Sequence, residues 1–135
     1  MKKLAIIGRI LFALPFGIMG LNHFLMTDVF IGMMSSFIPG GAYTILLTGA
    51  LLILASVLIV MNKFLKTVCY SLAGLLFIFI ITIHIPGLYS ANWQIAFIEL
   101  LKDTGLLGGA IMIAQYSDVL KEISAKNGKY KSKKQ

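Results

Sequence analysis

A chain of 135 residues in which 59% are hydrophobic and only 13% charged is far more apolar than a soluble domain, where charged residues alone make up about a quarter. Composition therefore excludes a soluble globular enzyme and points to an all-α, integral membrane protein in contact with the lipid bilayer. The net charge of +7 does not point to nucleic acid, because the basic residues are gathered at the ends of apolar runs.

Four such runs are each about long enough to cross a bilayer as a helix, at residues 4–26, 43–61, 67–85 and 93–119. They predict a four-helix bundle over residues 1–120, followed by a basic tail at 121–135. Eleven of the twelve Lys and Arg residues fall on one side of this arrangement, and only Lys102 lies toward the other. The positive-inside rule then places both termini in the cytoplasm. The start MKKLAIIGRILFALPFG imitates a signal peptide, but Arg9 interrupts its apolar part and no A-x-A site follows, so an uncleaved first span is expected.

In the first helix Ala13, Phe16, Gly20, His23 and Thr27 stay within about 40° of Arg9 at 100° per residue, forming with it one small and polar face. Such a face turns toward neighbouring helices rather than lipid. Pro15 is a kink site, and Arg9 is close enough to the cytoplasmic end to snorkel. His23 has no such escape, since Phe24, Leu25 and Met26 follow it. Residues 27–41 are too few to span and too apolar for a free loop, which predicts a short interfacial or re-entrant helix. Thr27 or Asp28 would cap it, Ser35 and Ser36 interrupt its apolar side chains, and Pro39, Gly40 and Gly41 would end it.

The second span offers Thr44, Thr48 and Ala55 as its small face, and the third offers Thr67, Ser71 and Gly74. Cys69, the single cysteine, forms no internal disulfide or C-x-x-C couple and reads as a packing residue. His84 comes just before Pro86 and Gly87 stop the third helix, at the level expected for His23. In the uncharged connector that follows, Tyr89 and Trp93 suit the headgroup region, and Ser90 or Asn92 would cap the fourth helix.

The fourth helix holds Glu99, Lys102 and Asp103, and its neutral part from Thr104 to Ser117 is 14 residues. That is about 21 Å of helix against a hydrocarbon core of about 30 Å, so part of the charged triad must enter the membrane. Charge there costs at least about 2.5 kcal/mol per residue and faces protein or a wet cavity. Gly105 and Gly109 form a G-x-x-x-G that predicts a close helix contact beside Lys102. The predicted topology gathers Asn22, His23, His84, Glu99, Lys102 and Asp103 in the outer half of the membrane. An ion-pair knot that fixes helix register, a proton-relay or quinone site, and a site for a small transported solute all fit this set. A transporter of four spans without a visible repeat would have to dimerise. A metal site built from His23, His84 and a carboxylate is geometrically possible but has no ligand motif, so no metal ligand is assigned. No nucleophile, phosphate-loop or haem motif is present, which leaves no self-contained catalytic machinery.

The segments GIMGLNHF (Gly17 to Phe24), FIPGG and LLKDTGLLGGA give the chain a resemblance to the DoxX and DoxX-like family of small four-helix bacterial membrane proteins. The likeness covers most of the chain up to about Gln115 and touches His23, Lys102 and Asp103, while His84 and Glu99 rest on position alone. It implies a bacterial cytoplasmic membrane and a subunit or partner of redox enzymes, linked to quinones or to defence against oxidants and thiol stress. With Cys69 as the only thiol, thiol chemistry would belong to a partner. A non-enzymatic scaffold or assembly factor, and self-association, stay open beside it.

Overall fold

The structure is a computed structural model describing the backbone of residues 2–34 and 36–132 and the side chains of 4–34, 36–117 and 119. Ser35, the side chains of Lys2 and Lys3, and those of the basic tail lie outside the described residues. Every described element is helical, which satisfies backbone N–H and C=O groups where water cannot reach them. In chain order these are α1 (Lys2–Leu25), α2 (Thr27–Met33), α3 (Ala42–Val60), α4 (Leu65–Phe79), a π-helical turn (Ile80–His84), α5 (Ile85–Gly87) and α6 (Trp93–Ser132).

Three stretches are long and apolar enough to cross a membrane: Leu4–Leu25, Ala42–Val60 and Leu65–Gly87. The sequence predicts four. α6 is the longest helix, 40 residues or about 60 Å, but its charged triad leaves it outside that apolar class. It also runs without a break past residue 120, where a separate tail was expected. No proline interrupts residues 118–132, and Leu, Lys, Glu and Ala are good helix formers.

The helices pair as two antiparallel hairpins. α1 lies on α3, with Gly17 against Ser56 and Gly20 against Gly49 and Ile53, so rising numbers on one helix meet falling numbers on the other. α4 lies on α6, where Gln115 Nε2 donates to the Tyr70 hydroxyl at 2.5 Å and, further along, His84 meets Asp103. Ala13 and Phe16 of α1, Leu52 and Ile59 of α3, Cys69, Leu72, Ala73 and Leu76 of α4, and Ala110 and Ala114 of α6 join the hairpins into one core. The Ser56 hydroxyl donates to the Ala13 carbonyl at 2.9 Å within it. Ser56→Ala is expected to cost about 1 kcal/mol in detergent unfolding; an unchanged midpoint would show that the bond adds nothing.

The small and polar face predicted for α1 is the one it buries: Ala13, Phe16, Gly20 and His23 are all buried and Arg9 and Thr27 half-buried. On α3 the buried face is Ile45, Gly49, Leu52, Ser56 and Ile59, one residue on from the predicted Thr44, Thr48 and Ala55, which are half-buried. On α4 the predicted Thr67, Ser71 and Gly74 are exposed, and Cys69, Leu72, Ala73 and Leu76 pack inward. Lipid is as apolar as leucine, so small polar residues do not by themselves decide which face turns in.

The segment after α1 is a short helix, α2, with no buried residue. Its expected cap is corrected: the residue before it is Met26, with no side-chain cap bond. The Thr27 hydroxyl instead donates back to the His23 carbonyl at 2.8 Å, tying off the end of α1. Ser90 likewise donates to the Gly87 carbonyl at 2.7 Å rather than capping α6, where Asn92 contributes only its backbone carbonyl, to Ile95 and Ala96. Gly40, at φ +96°, supplies the left-handed turn into α3.

Candidate functional site

Pro86 has no N–H, and in a regular helix its ring would strike the carbonyl of Thr82. The chain answers by widening the turn before it: the Ile85 N–H reaches back five residues to the Ile80 carbonyl. Such π turns re-aim the side chains they contain and are frequent at functional sites. His84 is the last residue of this one, half-buried and directed at α6.

There His84 Nε2 lies 2.8 Å from Asp103 Oδ2. Asp103 is only 4% exposed, so its charge needs partners in place. It has two, because Lys102 Nζ lies 3.5 Å from the other oxygen, Oδ1. Lys102 also donates to Glu99 Oε2, one helical turn away on α6. The side chains of Lys102 and Glu99 are 37% and 35% exposed. The result is a continuous chain, His84 to Asp103 to Lys102 to Glu99, with a formal charge of −1 while the imidazole is neutral.

Of the six candidate residues, these four are brought together. His23 is buried elsewhere, at 7% exposure, under the α2 segment. Its Nδ1 donates to the Met19 carbonyl at 2.8 Å, and its ring stacks on Phe30 with centroids 4.1 Å apart and planes 18° from parallel. Its Nε2 has no hydrogen-bond partner among the described residues. Asn22 is half-buried, and its side chain makes no hydrogen bond among them. No hydrogen bond, ion pair or ring contact among the described residues joins His23 or Asn22 to the cluster.

The G-x-x-x-G expectation is half met. A Cβ on Gly109 would meet Phe12 of α1 at 3.0 Å, whereas one on Gly105 would meet nothing within 4 Å. The tight helix crossing is instead between α1 and α3. Sequence reasoning missed the π turn, the Phe30 stack and the Tyr70 to Gln115 bond. Pro86, two residues after His84, was the available signal for the first.

Comparison of the chain with family models, with curated proteins and with solved structures found no match.

Proposed function

We propose that the chain is a four-span, DoxX-like subunit of a bacterial cytoplasmic membrane, with both termini inside, whose cluster exchanges protons for a quinone used by a partner redox enzyme. The observation that carries this reading is the 2.8 Å contact between His84 and the buried Asp103. An imidazole backed by a carboxylate takes up and releases a proton without moving, and its Lys102 and Glu99 neighbours extend the path toward the exposed side of α6. Electrons would come from the partner, since the chain's one thiol, Cys69, lies in the core. Support for the fourth span is that α6 lies antiparallel along α4, itself part of a crossing-length stretch. The one-sided basic residues support the orientation.

The test is mass spectrometry of protein purified from native membranes in mild detergent. Quinone is expected in the wild type and not in His84→Gln or Asp103→Asn protein that still folds. The same contacts also tie α4 to α6, which favours a second reading, a membrane scaffold in which the cluster only fixes helix register. A wild type without quinone, or variants that keep it, would establish that reading instead.

A further inference from the structure

We propose that His84, Glu99 and Asp103 form a site for one divalent transition-metal cation of the zinc and cobalt kind, for which the Lys102 ammonium is the built-in competitor. The sequence offers no ligand motif, because the three donors come from two helices and meet only through the antiparallel pairing of α4 and α6. In the fold each residue presents one ligand atom, and the three atoms lie within 4.8 Å of one another. A tetrahedral site with bonds of about 2.0–2.2 Å has ligand-to-ligand edges of about 3.4 Å. His84 Nε2 and Asp103 Oδ2, hydrogen-bonded at 2.8 Å, open by about 0.6 Å to admit the ion. The closure on the other side falls to Glu99, whose long side chain is 35% exposed.

The donor set selects the class of ion. One imidazole nitrogen and two carboxylate oxygens suit a borderline cation, whereas calcium takes six or more oxygens and magnesium keeps most of its waters. A second observation marks the place as one that attracts positive charge: the Lys102 ammonium bonds to Glu99 Oε2 and sits 3.5 Å from Asp103 Oδ1, bridging both carboxylates. Its side chain is 37% exposed on a long stem, so it withdraws without disturbing the core. A dication in its place neutralises Glu99 and Asp103 together. Coordination uses the Nε2 lone pair and therefore replaces the His84 to Asp103 hydrogen bond. This inference goes beyond the proton-exchange reading and needs neither a quinone nor a partner enzyme.

Tag-free wild type and Lys102→Met, stripped with chelator in detergent, are titrated with cobalt(II) and followed by its visible absorption. Thermal unfolding with and without zinc(II) gives an independent readout. One cobalt per chain is expected in both proteins, at least tenfold tighter in Lys102→Met because a competing charge at contact distance is gone. Zinc should raise the melting temperature of Lys102→Met more than that of the wild type, and His84→Gln should abolish both signals. Cobalt bound no more tightly by Lys102→Met, or equally well after His84→Gln, overturns the proposal. If Lys102→Met does not yield folded protein, the wild type decides, and no cobalt spectrum that His84→Gln removes means no site. Quinone content is read on chelator-stripped protein, so the two readings fail separately.

Discussion

Replacing Lys102 alone by methionine is expected to destabilise the metal-free protein by about 2 kcal/mol, more than replacing Glu99, Lys102 and Asp103 together by Gln, Met and Asn. The single change removes the cation that bridges two carboxylates while leaving both negative charges, one of them on a residue only 4% exposed. Removing one member of a fully buried pair costs about 3–5 kcal/mol; the more than one-third exposure of Lys102 and Glu99 lowers the expectation here. The triple change removes all three charges, and an asparagine at 103 still offers an oxygen to His84. Melting temperatures in one detergent, with chelator present, decide between them. If the triple variant unfolds first, the charges are net stabilising as a set, and the cluster acts as a structural knot in its own right.

The part of this fold that is legible in the sequence is the part set by solvent. Apolar runs of crossing length at Leu4–Leu25, Ala42–Val60 and Leu65–Gly87 follow from composition and periodicity alone. The inward face of α1 is legible too, because Ala13, Gly20 and His23 contrast with the Leu, Ile and Met around them. α3 and α4 carry no such contrast. With lipid outside and leucine inside, the choice between Thr44 and Ile45, or between Ser71 and Leu72, is made by the partner helix rather than by hydropathy. The candidate site divides in the same way. Glu99, Lys102 and Asp103 stand out because charge in an apolar run is costly, and His84 because it ends the third run just before Pro86 and Gly87, at the level expected for His23. What the sequence does not carry is pairing. The contact of His84 with Asp103, and the withdrawal of His23 to Met19 and Phe30, depend on a π turn and on antiparallel helix contacts between residues distant in sequence.

Gly20→Ala and Gly49→Ala are each expected to cost about 2–3 kcal/mol, while Gly105→Ala leaves stability unchanged or raises it by up to about 1 kcal/mol. At Gly20 a Cβ would lie 2.8 Å from the Gly49 carbonyl oxygen and 2.7 Å from Ile53 Cγ1. At Gly49 it would lie 2.9 Å from the Gly20 carbonyl oxygen and 2.7 Å from His23 Cβ. Each glycine is thus held by the other's backbone, which cannot rotate away as a side chain can, so a methyl at either position forces α1 and α3 apart. Separation would reach beyond the crossing itself, because His23 sits on Gly49 and carries the stack with Phe30 that holds α2 over this end of the bundle. At Gly105 there is nothing to strike within 4 Å, and alanine is the better helix former. Unfolding midpoints in a single detergent measure all three, and protection of α2 against proteolysis should fall in the first two variants only. Equal midpoints for Gly20→Ala and Gly105→Ala would mean that the α1 to α3 crossing is loose enough to absorb a methyl group, and the close approach of the two glycines would then carry no energetic weight.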